Sequence, residues 1–237
     1  MCTITFIPKS KNDFILTSNR DETPGRETFP PKIYEEEGVQ LLYPKDGVAG
    51  GTWIGISEKK RAVTLMNGGF VAHKRKPFYR KSRGLVVKDL LKSDDLKTEI
   101  EKYDFNDIEP FTAIIIEWKT EVQLFQLVWD GLDYHFSQEP LATQIWSSSP
   151  LYPENLKKKR ELWFSEFLFK TIKPSEEEIL QFHKTAGEGD LNSNLIMDRG
   201  FIKTKSITQI VKNKETVEMR YEDLQKGRVS NSVFSKQ

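Results

Sequence analysis

Short apolar runs cut by turn residues dominate the first two thirds of the chain, and their periodicity predicts strands. Residues 3–7 and 14–17 read as strands joined by a turn at 9–13, an N-terminal hairpin. The second strand is predicted to end at Ser18-Asn19-Arg20-Asp21-Glu22, and Pro, Gly and charge make 23–31 a loop. A short strand at 40–43 and a flexible loop at 47–51 precede a second hairpin. Its strands are 52–56 and 62–66, and it ends at Asn67-Gly68-Gly69. Residues 70–83 are basic and loop-like, and 84–92 reads as a helix. Residues 111–118 and 121–129 form a third hairpin, and Trp146-Ser147-Ser148-Ser149-Pro150 ends another strand. The period then becomes helical. Leu156, Leu162, Trp163, Phe167 and Leu168 mark a helix over 153–170. Ser175 and Glu178 form a capping box ahead of Ile179, Leu180 and Phe182. Strands at 206–211 and 216–221 close the chain, and the tail from about residue 228 is expected to fray. Hairpins, helices and a final hairpin, without repeats or linkers, predict one α+β domain spanning 1–237.

Composition narrows the function classes. Lys plus Arg number 36 and Asp plus Glu 35, so a net charge of +1 argues against a nucleic-acid binder. One cysteine excludes an intramolecular disulfide framework and a multi-cysteine zinc site. His73, His135 and His183 lack metal-ligand spacing, so neither a metal nor another cofactor is expected. The start has no charged n-region or cleavage site, and no apolar run reaches membrane-spanning length. A cytoplasmic protein is the expectation.

The lone cysteine, Cys2, directly follows Met1. Removal of Met1 leaves one residue carrying a thiol and a free α-amine, with reference pKa values of about 8.5 and about 7.7–8.0. Such a residue holds its own nucleophile and base. A buried or incidental cysteine is the plainer alternative.

Four segments together carry a family resemblance: Met1-Cys2-Thr3, Asn19-Arg20-Asp21-Glu22, Gly50-Gly51-Thr52-Trp53 and Leu65-Met66-Asn67. They resemble the NRDE family, also called the transport-and-Golgi-organisation-2 family. Lys203-Thr204-Lys205-Ser206-Ile207-Thr208 and Arg80-Lys81-Ser82-Arg83-Gly84 fit it more loosely. That family is similar to N-terminal nucleophile hydrolases of the choloylglycine hydrolase and penicillin V acylase branch. The resemblance implies a four-layer αββα sandwich of two antiparallel sheets flanked by helices. It also implies cleavage of a non-peptide linear amide through a thioester.

Carried over residue by residue, the resemblance makes Cys2 the nucleophile and Asp21 a partner of its amine. Arg20 lowers the thiol pKa or pairs with Asp21. It stands two residues past Ser18, where the acylase branch has its Arg, on the same strand face. Asn67 polarises the substrate carbonyl, although an Asn-Gly turn is the plain reading. Ser148 or Ser149 stands where the branch has a second Asn, and Lys205 where it has a late Arg. Asn19 and Glu22 brace the turn. The cluster His73-Lys74-Arg75-Lys76 with Arg80, Lys81 and Arg83 is a candidate receiver for an anionic small-molecule substrate, or a solvated loop. The five Trp read as core, and Gly50-Gly51 as a bend near the active site.

Two functions follow. One is an N-terminal-cysteine amidohydrolase acting on a small molecule after Met1 removal. The other is a non-catalytic binding or trafficking protein for haem or lipid-like ligands on the same fold, favoured by Ser18 and Ser148 where the acylases carry Arg and Asn.

Overall fold

A computed structural model describes residues 2–234, with side chains from Thr3 onward. The chain opens with β1 (Cys2–Pro8), β2 (Phe14–Glu22), β3 (Thr28–Glu36), β4 (Val39–Asp46), β5 (Ile54–Ser57) and β6 (Arg61–Asn67). Helices α1 (Arg83–Lys92) and α2 (Leu96–Lys102) follow. Then come β7 (Phe111–Glu117), β8 (Gln123–Trp129), β9 (Tyr134–Glu139) and β10 (Gln144–Ser147). Helices α3 (Glu154–Lys170) and α4 (Glu176–Thr185) precede β11 (Lys203–Asn213), β12 (Thr216–Asp223) and β13 (Arg228–Val233). The strands form two antiparallel sheets, ordered β10-β1-β2-β11-β12-β13 and β3-β4-β5-β6-β7-β8-β9. The predicted α+β class is what forms.

Contacts divide the chain into two compact units, one holding residues up to Arg26 and from Ala142 onward, the other Glu27–Leu141. The first contains the six-stranded sheet with α3 and α4. Ile7 and Ile15 of the sheet share a core with Phe164 of α3 and with Ile179 and Phe182 of α4. Helix α4 starts where the sequence indicates. Ser175 and Glu178 bond reciprocally to each other's backbone N–H, which satisfies two donors left over at a helix start.

The second unit contains the seven-stranded sheet with α1 and α2. Val86, Val87, Leu90 and Leu91 of α1 join Leu41, Val63, Ala113 and Ile115 of the sheet in one core. Gly51 is a packing requirement here. The Thr52 N–H donates to the Gly84 carbonyl at 3.1 Å, and a Cβ on Gly51 would lie 2.4 Å from the Gly84 carbonyl carbon. Any side chain there would push the start of α1 off the sheet. The bend itself is made by Gly50, at φ +69°.

The structure changes several boundaries. Asn19-Arg20-Asp21-Glu22 is not a strand-end turn; it lies inside β2, which runs to Glu22 because β11 pairs with it as far as the Lys203–Glu22 pair. Pro30 and Pro31 fall within β3, not in a loop. They occupy a register shift between Phe29 and Lys32 on an edge strand, where a missing N–H costs no ladder bond. Helix α2 was not read as an element. It has only seven residues, started by Asp95 accepting from the Thr98 N–H at 2.8 Å. β9 was also missed, and the segment expected to fray after Gly227 forms β13 against β12.

Candidate active site

The β1–β2 hairpin sets the site. Its turn is tied by Lys9 N–H to Asp13 O at 2.8 Å and by Asp13 N–H to Ser10 Oγ at 3.1 Å. The resulting register pairs Cys2 with Arg20, Arg20 with Ser206 and Thr3 with Ser147. Ser148 follows one step beyond that last pair. Cys2, Arg20 and Ser206 thus stand in one row across β1, β2 and β11, and Ser148 is the first residue past the end of β10. Arg20, Ser148 and Ser206 are all buried. Asp21 lies one step along, on the amino side of Cys2, paired with Thr204.

Strand residues alternate between faces. Thr3, Thr5, Asn19 and Asp21 belong to the face covered by α3, α4 and their flanking loops, as their partners Arg160, His183 and Tyr152 show. Arg20 leaves β2 on the opposite face. Its charge acts on Glu22, Lys205 and Tyr221, whereas Asp21 feels Arg160.

Asp21 is fully buried. Its Oδ1 accepts from Thr204 Oγ1 at 2.7 Å and its Oδ2 from the Tyr152 hydroxyl. Burial pushes the carboxyl pKa up; the Tyr152 and Thr204 hydrogen bonds and the Arg160 charge oppose that.

Asn19 has a bracing role. Its Nδ2 donates to the carbonyls of His183 at 3.2 Å and Leu195 at 3.0 Å, and its Oδ1 lies 2.7 Å from His183 Nδ1. An amide oxygen only accepts, so Nδ1 carries the proton and Nε2 accepts from Thr5 Oγ1 at 2.8 Å. This ring is neutral. Burial, with the Arg160 charge, lowers the His183 pKa from 6.5 to about 3. The unfolded chain therefore binds the extra proton between those values. Stability that this group contributes above pH 6.5 is lost as pH falls. Asp21, with its raised pKa, acts in the opposite sense. Urea midpoints measured from neutral to acid pH should decline less steeply in His183→Gln than in the unaltered protein.

The remaining candidates are placed as follows. Lys205 sits in the β11 bulge and donates to the carbonyls of Pro24, at 2.9 Å, and Arg26, so it clamps the loop after β2. Burial, then the Arg20 charge, lowers its pKa. Asn67 ends β6 in the second unit, opposite Phe111. The Gly68 that follows does not make a tight hairpin; its N–H bonds Pro110 O at 2.8 Å. In the basic segment, His73, Arg75 and Arg83 ring Glu109 at 3.3, 3.8 and 2.9 Å. Lys76 pairs with Asp107, Arg80 with Asp104 and Lys81 with Asp89. Most of the charge expected to receive an anionic substrate is therefore already paired, with carboxylates of α1 and of the 104–109 segment before β7. Trp53, Trp118 and Trp129 are core, while Trp146 and Trp163 are half-buried. No metal-binding cluster occurs among the described residues. Sequence alone assigns no site role to Tyr152, Arg160, His183, Thr204 or Ser206, although Thr204 and Ser206 lie in the segment that fits the family more loosely. Arg160 hides in a Lys-Lys-Lys-Arg-Glu run that reads as a solvated helix face.

Residues 1–182 match the family described as Transport and Golgi organisation 2. The chain belongs to that family. No curated protein matches the sequence. Solved structures that resemble this Transport and Golgi organisation 2 member include a variant of the conjugated bile acid hydrolase from Clostridium perfringens. It has a TM-score of 0.60 at 10% identity, covering 100% of this chain and 97% of that one. Penicillin V acylase from Agrobacterium tumefaciens gives 0.59 at 12%, covering 98% and 85%. The Caenorhabditis elegans ortholog of N-acylethanolamine-hydrolyzing acid amidase gives 0.59 at 12%, covering 88% and 92%. At such identities the likeness is one of fold. This family member has the α+β fold of the N-terminal nucleophile hydrolases. No helix among the described residues is long and apolar enough to cross a membrane.

Proposed function

We propose that this protein is an N-terminal-cysteine amidohydrolase that cleaves a linear amide of a small molecule after loss of Met1. The observation that carries the reading is the register: Cys2 stands level with Arg20, and the buried Asp21 carboxylate lies one step along on the amino side. The names hydrolase, acylase and amidase among the structural neighbours support the same class.

In this mechanism the α-amine takes the thiol proton and the thiolate attacks the carbonyl carbon. Arg20 favours the thiolate, and Asp21 favours the ammonium. Collapse of the tetrahedral species breaks the C–N bond as the ammonium returns its proton to the leaving nitrogen. An amine product departs and a thioester remains. Water, deprotonated by the same amine, then attacks the thioester, releasing the acid and restoring the thiol. Ser148, which follows the Thr3 partner Ser147, is the proposed oxyanion donor. Lys205 supports the loop after β2.

Two observations favour ligand binding without turnover as the competing reading. Ser18 stands where the acylase branch has Arg, and the Lys205 ammonium is committed to backbone carbonyls. A panel of fatty-acyl and aryl-acyl p-nitroanilides decides between them. Release of p-nitroaniline by protein with a free Cys2 amine supports the hydrolase. Saturable binding of these amides without release from the same preparation overturns it.

A further inference from the structure

Arg160 is a fully buried cation with no carboxylate against it among the described residues. Its Nη1 donates to Thr3 Oγ1, and its Nη2 to the carbonyls of Ser193 at 3.1 Å and Asn194 at 2.8 Å. All three acceptors are neutral, and Nε has no partner. Neutral dipoles alone offset poorly the desolvation of a buried charge. Its guanidinium carbon lies 3.6 Å from the centroid of the Tyr152 ring. The hydroxyl of that ring donates to Asp21 Oδ2. The buried anion that balances Arg160 therefore lies on the far side of a phenol.

The arrangement has two consequences. A cation over the ring face draws electron density from the phenol and makes its O–H a stronger donor. The same side chain holds Thr3, the residue after Cys2, and reaches Asp21 through Tyr152. One group on α3 thus grips β1 and β2 directly behind the Cys2–Arg20 pair.

We propose that Arg160 and Tyr152 are positioning residues that keep Asp21 a carboxylate aimed at the amine of Cys2. Neither touches the reacting atoms, and the role rests on the hydrolase reading above. The titratable and charged groups around Asp21 are Tyr152 from the segment before α3, Arg160 from α3, and the neutral His183 from α4 by way of Asn19. β11 contributes the non-titrating Thr204. Tyr152 is therefore the one titratable group among the described residues that hydrogen-bonds Asp21 directly; Thr204 shares the carboxylate but does not titrate.

Tyr152→Phe keeps the ring and removes the O–H. Two profiles test the proposal, each read from acid to mildly alkaline pH. One is the 13C carboxyl titration of Asp21; the other is the rate of Cys2 alkylation by iodoacetamide. In Tyr152→Phe the Asp21 midpoint should rise by about one unit. The acid limb of the alkylation profile should move up with it, while the plateau rate holds. Arg160→Gln should move both the same way; if it does not fold, Tyr152→Phe alone decides. An unchanged Asp21 midpoint overturns the link. A moved midpoint with an unmoved alkylation limb overturns the positioning role and leaves the hydrolase reading standing. Retention of Met1 in the unaltered protein sinks the hydrolase reading and this role with it, while the Asp21 titration still decides the charge link.

Discussion

Cys2→Ala should turn over no amide above the buffer rate and take up no electrophile. The loss is expected to be the largest of any substitution in the chain, on the order of 10⁶ in rate where the nucleophile is removed from a covalent mechanism. The sequence makes the experiment clean, because Cys2 is the only cysteine and any thiol adduct is an adduct of that residue. No other described group can replace it. Ser206 stands in the same row and Ser148 just past β10, but a neutral hydroxyl is a far weaker nucleophile at neutral pH than a thiolate, even with the amine of residue 2 kept. Residual turnover in Cys2→Ala within tenfold of the unaltered protein would place the chemistry elsewhere.

The second large effect is on stability. Arg61→Met should lower the free energy of unfolding by about 3–5 kcal/mol, because one guanidinium joins three elements of the second unit. Arg61 is fully buried on β6. Its Nε and Nη2 donate to Glu117 Oε1 on β7, at 2.8 and 2.5 Å. Its Nη1 donates to Ser93 O at 2.8 Å, Ser93 Oγ at 2.6 Å and Leu90 O. Those carbonyls belong to the end of α1, where backbone N–H partners run out; the Ser93 hydroxyl adds a second bond to Leu90 O at 3.1 Å. Removing the cation leaves a nearly buried carboxylate with only the half-exposed Lys119 at 3.6 Å, and strips the helix end as well. Glu117→Leu added to Arg61→Met should recover much of the loss, since a well-packed apolar pair replaces a buried ion pair at little cost. Urea unfolding at neutral pH measures both. A single-variant loss below about 1 kcal/mol would show that the pair is a surface-type contact.

Central elements were legible, and of the four described edge strands only β10 was. β7, with every residue buried, and the β6–β7 and β7–β8 ladders follow from apolar runs that any reading of periodicity finds. β3, β9 and β13 are the outermost strands of their sheets, and their sequences are mixed, exposed or proline-bearing. An edge strand exists because a neighbour offers a ladder, so its own pattern says little. The site divides similarly. Cys2 and the Asn19–Glu22 segment announce themselves by position and motif. Tyr152, Arg160, His183 and Thr204, which hold Thr3, Asn19 and Asp21, come from segments far away in sequence. Each resembles an ordinary helix or strand residue until burial and partners are known. The second glycine of the Gly50-Gly51-Thr52-Trp53 motif likewise proved to serve the seating of α1.

The central claim is that residue 2 is a free, reactive N-terminal cysteine. Intact-mass spectrometry of the protein from its own cell, before and after iodoacetamide at neutral pH, tests it most directly. The account predicts a chain beginning at Cys2 that gains one adduct on that residue. A chain that retains Met1, or one beginning at Cys2 that gains no adduct, would contradict it.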